Sequence, residues 1–195
     1  AFTVDGSFLG EDSFFGLPVV PFENVGDIYP PDEYEMFVAV SYHDLNQLRA
    51  HKYLEAKRKQ YRLVSYISSK SNAIGKIELG DNCLVLESQV IQPFAKIGNN
   101  VAIFGGVLIG HHCEIGDHCW ITSEVSIGGN TTIGQRCFLG LNSTIGHMID
   151  IGSDSFIGAG TLVTKSCTEK SVFITRDTDL YRLDSSRFLD IARLR

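Results

Sequence analysis

The segment richest in reactive side chains is "IGHHCEIGDHC", residues 109–119, which holds three histidines and two cysteines. Side chains of these types can bind zinc, exchange disulfides or act as a general base. The three roles need different geometries. The chemistry therefore depends on where the chain places His111, His112 and His118 relative to Cys113 and Cys119, and the surrounding sequence fixes that placement.

A six-residue repeat runs through this segment. Steps of six from Ile67 to Val163 reach Ile, Leu or Val at sixteen of seventeen positions, with Ala73 as the exception. One inward aliphatic residue per six residues is typical of a parallel β-helix built from hexapeptides, in which about 18 residues close one coil. Gly often follows the aliphatic residue, which predicts tight corners with positive φ. The repeat thus predicts a prism of about five to six coils.

The register of the repeat predicts that the cysteines are packing residues. Each lies four residues after a marked aliphatic, in a slot that otherwise holds small residues such as Thr131 and Ser143. A free cysteine behaves there as a compact buried side chain. An odd number of cysteines also argues against a disulfide framework. The five are Cys83, Cys113, Cys119, Cys137 and Cys167.

The histidines occupy different slots, two or three residues after an aliphatic, where side chains are expected to point outward at the corners. His111, Gly129 and His147 follow one another at intervals of one coil. They should therefore stack on one corner, about 4.8 Å apart per coil if coils pair like strands.

The composition of the chain argues against nucleic-acid and membrane partners. The chain of 195 residues carries 17 basic and 23 acidic side chains, a net charge of −6, which argues against nucleic-acid binding. The basic run 49–62 is interpreted as a solvated helix face. No apolar stretch approaches the roughly 20 residues that span a bilayer, and no signal peptide is recognised. We expect no membrane partner and a cytoplasmic location.

Residues 1–66 are predicted to form a small, incomplete Rossmann-like α/β subdomain. The strand "EMFVAV" (35–40) leads to a helix over roughly 44–59, capped by Ser41 and buried through Leu45, Leu48 and Leu54, and "RLVSYI" returns as a strand. Asp5 follows the strand-like "AFTV", a position where an acidic residue often meets a ribose hydroxyl. The usual Gly-rich phosphate turn is not found. The β-helix is assigned to 67–168 and a tail with a candidate short helix to 169–195.

An α/β subdomain followed by such a prism resembles one family of hexapeptide-repeat acyltransferases, the sialic acid O-acetyltransferases and the N-acetyltransferases of nucleotide-linked amino sugars. The motifs that carry the resemblance are "IGHHCEIGDHC", "IGQRCFLGLNSTI" and "IGAGTLVTK". The resemblance implies a left-handed β-helix and a homotrimer that transfers acetyl from acetyl-CoA. The acceptor would be an amine or hydroxyl of a nucleotide-linked or sialic-acid-like sugar, in the synthesis of bacterial surface polysaccharide.

The resemblance also assigns site residues. His111 matches the general base, and the backbone amide of Gly129 matches the donor that stabilises the oxyanion. Asp5 is the candidate substrate contact. The acetyl-CoA groove between neighbouring prisms would be lined by Trp120, Gly129, Leu141 and Ala159, with Lys165 near a phosphate. The alternative to a role in the groove is a simple trimer contact for Trp120 and Leu141 and a solvated charge for Lys165.

Three departures from the family pattern leave a second hypothesis open. His112 stands where relatives often have an acidic residue after the base, with Glu124 as another candidate for that support. The tail after the last coil differs, and the phosphate turn is missing. A non-catalytic trimeric scaffold is the alternative function. The γ-class carbonic anhydrases share this fold and bind zinc through three histidines, two of them five residues apart. That spacing reaches only Asp117 from His112, so no metal is expected.

Overall fold

The computed structural model describes residues 1–192 and shows a three-faced prism preceded by a small α/β subdomain. Each face is a ladder of parallel two-residue strands, and strands that pair lie 18 residues apart, as in Leu108↔Ser126 and Ile109↔Ile127. This is a β-helix, as the repeat predicted, and it is left-handed, as the resemblance implied.

The three faces follow one another along the chain. The first face contains the strands Asn72–Ala73, Val90–Ile91, Leu108–Ile109, Ser126–Ile127, Thr144–Ile145 and Leu162–Val163. The second contains Glu78–Leu79, Lys96–Ile97, Glu114–Ile115, Thr132–Ile133 and Asp150–Ile151. The third contains Tyr66–Ile67, Leu84–Val85, Ala102–Ile103, Trp120–Ile121, Phe138–Leu139, Phe156–Ile157 and Val172–Phe173.

From Val85 to Val163 the aliphatic residue of each hexad points into the prism and forms its core, whereas Ile67 and Ala73 in the first coil are exposed. Ile103, Ile109, Ile121 and Ile127 are fully buried. Because side chains alternate along a strand, the residue before each aliphatic faces outward. One buried aliphatic side chain per face and per coil stabilises the stack, since burying such a side chain is worth roughly 1.5–3 kcal/mol.

The glycines that follow the aliphatics serve a different purpose from the one predicted. Positive φ occurs two residues later, for example at His112 (56°) and Asn130 (57°). The glycine is needed because consecutive coils approach closely. A Cβ on Gly110 would lie 2.5 Å from the backbone nitrogen of Gly129, and one on Gly116 would lie 2.6 Å from that of Gln135.

The cysteines are buried packing residues, except that Cys167 is only partly buried. The thiol of Cys113 donates to the Gly128 carbonyl at 3.1 Å. Burial raises the pKa of the Cys83 thiol to about 11 and also raises the pKa of Cys119. Cys83 and Cys119 are therefore held as neutral thiols rather than as thiolate nucleophiles or metal ligands.

The N-terminal subdomain consists of two small sheets and two α-helices. In one sheet Phe2–Val4 pairs in parallel with Leu17–Pro21, which pairs in antiparallel with Ser13–Phe14. In the other, Glu35–Met36 and Arg62–Leu63 pair in parallel across the helix Gln47–Arg58, which is the expected βαβ unit. Short helical segments lie at Gly6–Phe8, Phe22–Asn24 and Val25–Ile28.

The strand predicted over 35–40 is shorter than expected. Beyond Met36 the chain leaves its strand partner, and the Val38 amide donates to Asn82 Oδ1 at 2.7 Å while its carbonyl accepts from Asn82 Nδ2 at 3.2 Å. A side chain of the prism thus replaces a sheet neighbour for this segment.

The helix Gln47–Arg58 also differs from its prediction. It begins after Asn46, so Ser41 does not cap it. Its buried side includes Arg49, Ala50 and Tyr53, whereas Leu48 and Leu54 are exposed. The predicted leucine stripe is wrong because the helix packs on a polar corner of the prism. The Arg49 guanidinium donates to the Asn100 carbonyl there, so this part of the basic run is not solvated.

After the last ladder strand, Val172–Phe173, the chain forms the helix Ser185–Ala192. No helix within residues 1–192 is long and apolar enough to cross a membrane.

Candidate active site

The histidine corner, defined as residues 111, 129, 147 and 165, lies between the first and second faces. Its members are His111, Gly129, His147 and Lys165, one coil apart in succession. The ladder register places them together, since the strands just before His111, Gly129 and His147 pair in parallel. The three side chains are exposed. Three predicted site residues, His111, Gly129 and Lys165, therefore share one corner with His147.

The ring of His111 lies directly over Gly129. A Cβ added to Gly129 would come within 2.8 Å of His111 Cε1 and Nε2. At the other end of the residue, the His111 backbone N–H donates to Gln92 Oε1 at 3.0 Å, one coil earlier. The imidazole is thus seated on the next coil, and any side chain at position 129 would displace it.

The amide of Gly129 is available to a ligand. The neighbouring amides are used in the coil stack, since Gly128 donates to the Ile145 carbonyl at 2.9 Å and Asn130 donates to the His111 carbonyl at 2.8 Å. The Gly129 N–H donates to no acceptor in residues 1–192. A free backbone N–H close to an imidazole provides a hydrogen-bond donor and a proton acceptor in one site.

The two adjacent histidines contact each other. His111 Nδ1 and His112 Nδ1 are 3.1 Å apart, and the rings are almost perpendicular at 84°. The His112 ring also packs on Phe94, with 4.8 Å between ring centroids. Glu124, the other candidate support, lies at a different corner, where a Cβ on Gly106 would come within 2.2 Å of its Oε1.

His118 is separated from the other two histidines. It was expected to face outward, but the N-terminal subdomain covers it, and its ring lies 5.2 Å from that of Tyr53. Its Nδ1 is 2.9 Å from Asn100 Nδ2, and Asn82 Nδ2 donates to Asn100 Oδ1 at 2.8 Å. Burial lowers the pKa of His118, with Asp117 opposing that shift. The side chain therefore serves as a neutral acceptor for Asn100 within the prism, underneath Tyr53 of the subdomain.

The remaining candidate residues lie outside the histidine corner. Leu141 and Ala159 are exposed one coil apart at the corner between the third and first faces. Trp120 lies on the third face, in contact with Tyr42 and Phe104 of the same chain. Asp5 accepts from Lys52 Nζ at 2.8 Å. In the part of the chain described, no cluster of three or more His, Cys, Asp or Glu could hold a metal ion.

Sequence reasoning missed a cavity of about 680 Å³ in the N-terminal subdomain. Phe2, Val4, Tyr29 and Phe37 contribute to its mainly aromatic and aliphatic wall, and Asp5 stands at its edge. The alternating apolar residues of "AFTV" and "EMFVAV" were the available signal. They indicated buried strands, but not that the two short sheets would leave a space between them.

Two family models match the prism. The model described as bacterial transferase hexapeptide (six repeats) matches residues 112–147, and the hexapeptide repeat of succinyl-transferase matches residues 130–165. Together with the ladder, these matches identify the repeat. Residues 112–165 carry hexapeptide repeats of the bacterial transferase type. A search of curated proteins found no match.

Solved structures extend the likeness beyond the hexapeptide repeats. Perosamine N-acetyltransferase from Caulobacter crescentus, in complex with CoA and GDP-perosamine, is 24% identical, with a TM-score of 0.76 over 83% of this chain and 77% of that one. The acetyltransferase domain of PglB from Neisseria gonorrhoeae, in complex with acetyl coenzyme A, is 20% identical, with a TM-score of 0.75 over 85% and 79%. WeeI from Acinetobacter baumannii is 21% identical, with a TM-score of 0.75 over 88% and 81%. These proteins share the fold of this chain over more than four fifths of its length.

Proposed function

We propose that this protein is an acetyl-CoA-dependent acetyltransferase that acts on an amine or hydroxyl of a sugar. The observation that carries the proposal is the His111 imidazole seated over Gly129, whose N–H has no acceptor among residues 1–192. A base and an oxyanion donor side by side are the two groups that acyl transfer requires.

The chemistry follows from the two groups. His111 Nε2 accepts the proton of the acceptor amine or hydroxyl as that atom attacks the thioester carbonyl and forms the new bond to carbon. The Gly129 N–H donates to the oxygen as it becomes negative. When the carbon–sulfur bond breaks, the CoA thiolate leaves and takes the proton from the His111 imidazolium. Removing one such backbone donor or the base is expected to cost about 10²-fold or more in rate.

The relatives support the substrate class. Two of the three similar proteins were solved with CoA or acetyl coenzyme A, and one of these also held a nucleotide-linked amino sugar. Structures of that same enzyme include variants in which one histidine is replaced by asparagine or by alanine. We place this protein in the same class, with a nucleotide-linked or sialic-acid-like sugar as acceptor in the synthesis of surface polysaccharide. Asp5, at the edge of the subdomain cavity, is the proposed sugar-nucleotide contact.

The proposal includes a homotrimer with the active site between neighbouring prisms. Apolar side chains that a monomer would leave in water are spread over the first face and its two corners, notably Phe94, Leu141, Met148 and Leu162. Large exposed apolar surfaces mark protein contacts or ligand grooves. In the trimer, Trp120, Leu141 and Ala159 would line the acetyl-CoA groove and Lys165 would meet a phosphate. Five free cysteines fit a reducing compartment such as the cytoplasm.

Calorimetry with acetyl-CoA and a thiol-release assay test this function. The wild-type protein should bind acetyl-CoA and release CoA in the presence of a nucleotide-linked amino sugar or sialic acid. His111→Ala should lower kcat by about 10²–10⁴-fold and leave the affinity for acetyl-CoA unchanged. His147→Ala, a change at another exposed imidazole of the same corner, is the matched control and should keep full activity. Absence of both acetyl-CoA binding and transfer by the wild type would favour the scaffold function instead.

A further inference from the structure

The contact between His111 and His112 restricts where their hydrogens lie. A neutral imidazole carries one N–H, on either Nδ1 or Nε2. The two Nδ1 atoms are 3.1 Å apart, so a hydrogen bond between them holds one hydrogen and needs one donor and one acceptor. Two arrangements satisfy this, one in which His111 donates and one in which His112 donates.

The two arrangements have opposite consequences for the nitrogen beside Gly129. If His112 donates, the hydrogen of His111 is on Nε2, and that atom cannot accept another proton. If His111 donates from Nδ1, its Nε2 has a free lone pair next to the unused Gly129 amide. Only the second arrangement leaves His111 able to act as a base.

The ring of His112 is held in place. Its backbone is in the left-handed region at φ 56°, its N–H donates to the Pro93 carbonyl at 3.1 Å, and its ring packs at 34° on Phe94. No carboxylate among residues 1–192 forms an ion pair with either ring of the pair. Within these residues, the His112 Nδ1 atom is thus the side-chain acceptor available to an Nδ1–H of His111.

We propose that His112 is a positioning residue that selects the reactive tautomer of His111, with a neutral imidazole in the place of a carboxylate. This inference rests on the proposed function. In each cycle His111 takes the acceptor's proton on Nε2 while its Nδ1–H stays bonded to His112, and the Nε2 proton then passes to the CoA thiolate. His112 keeps its own hydrogen on Nε2 throughout and gains no charge.

Three substitutions separate this role from a structural one. His112→Gly removes the ring without strain, since glycine tolerates φ 56°. It should lower kcat by about 10- to 100-fold, the range found for partners that orient a ligating histidine, with the KM for acetyl-CoA unchanged. His112→Asn keeps an acceptor and a residue type that tolerates the left-handed region, so it should restore most of kcat. His112→Asp should also be active, but its charge should move the acid limb of the pH–rate profile upward by about one pH unit.

Nitrogen NMR of the wild-type protein with ¹⁵N-labelled histidine gives a readout that needs no activity. Above the pH at which both rings are neutral, His111 should show a protonated Nδ1 and a bare Nε2, and His112 the reverse. In His112→Gly, His111 should revert to a mixture of tautomers. A protonated Nε2 on His111, or full kcat in a folded His112→Gly, would overturn the inference. An inactive wild type with the expected tautomers would refute the function and leave the His111–His112 hydrogen bond established.

Discussion

Gly129→Ala tests the seating of His111 without touching either histidine. The new methyl group would lie 2.8 Å from two atoms of the imidazole, whereas ordinary contacts begin at 3.4 Å. The ring must therefore move outward by about 0.6 Å or rotate away. A misplacement of about 1 Å costs on the order of 10²-fold in rate, so we expect kcat to fall by about 10- to 100-fold. That loss corresponds to roughly 1.4–2.7 kcal/mol of activation free energy.

Stability should change little in this variant, because the atoms in the way belong to the free end of an exposed side chain rather than to the backbone. Gly129 is not among the glycines with positive φ. Alanine at such a position can stabilise a protein by about 0.4–1 kcal/mol through the unfolded state. The melting temperature should therefore stay constant or rise while activity falls.

Gly105→Ala is the matched control for Gly129→Ala. Gly105 occupies the same hexad slot at another corner, also without positive φ, and an added Cβ there would meet nothing closer than the Glu87 carbonyl oxygen at 3.6 Å. Thiol-release kinetics and thermal unfolding of both variants complete the test. Full kcat in Gly129→Ala would mean that the position of His111 over Gly129 has no part in catalysis.

Two further predictions concern stability. Cys113→Ser should lower the free energy of unfolding by about 1 kcal/mol, since a smaller and more polar group would replace a fully buried sulfur. The affinity for acetyl-CoA, measured by calorimetry, should not change. Release of stoichiometric zinc by this substitution would contradict the packing role of Cys113. Burial holds the pKa of His118 below its ordinary 6.5, so the unfolded chain binds protons more readily than the folded one. The contribution of neutral His118 to the free energy of unfolding is complete above pH 6.5 and declines as the pH falls below that value. Urea unfolding should therefore show that the free energy of unfolding falls more between pH 7 and pH 5.5 in the wild type than in His118→Gln. Equal losses would refute the assignment of His118 as a buried neutral acceptor.

The prism could be predicted because its determinants are local and repeated. An aliphatic residue every six positions requires one inward side chain per strand, whatever the rest of the chain does. The location of positive φ could not be read in the same way. Glycine after the aliphatic suggests a special backbone angle, but Gly110 is selected by the 2.5 Å approach of the next coil. The left-handed residue is His112, two positions after that glycine.

The subdomain was harder to predict because its helix packs against polar groups. A leucine stripe predicts a buried face only when the surface it meets is apolar. Here the partner is a corner of the prism that presents backbone carbonyls, and Arg49 and Asn46 of the helix region donate to the carbonyls of Asn100 and Cys137. Periodicity carries no information about such a surface, so the positions of Leu48 and Leu54 were assigned to the wrong side.

The register of the repeat also predicts which residues meet in the candidate site, but the same register relates other pairs of residues. A residue two positions after an aliphatic lies one coil below the residue that follows it by 18 positions. A glycine at that later position leaves room for the earlier side chain. His111 and Gly129 have this relation, and so do Glu87 and Gly105 at another corner. The structure separates the two cases, because an added Cβ would lie 2.8 Å from the His111 ring but 3.7 Å from Glu87 Oε1. The glycine opposite His111 is thus required by a contact, while the one opposite Glu87 is not. This spacing therefore supports a catalytic hypothesis only where the ring occupies the space that the missing Cβ leaves.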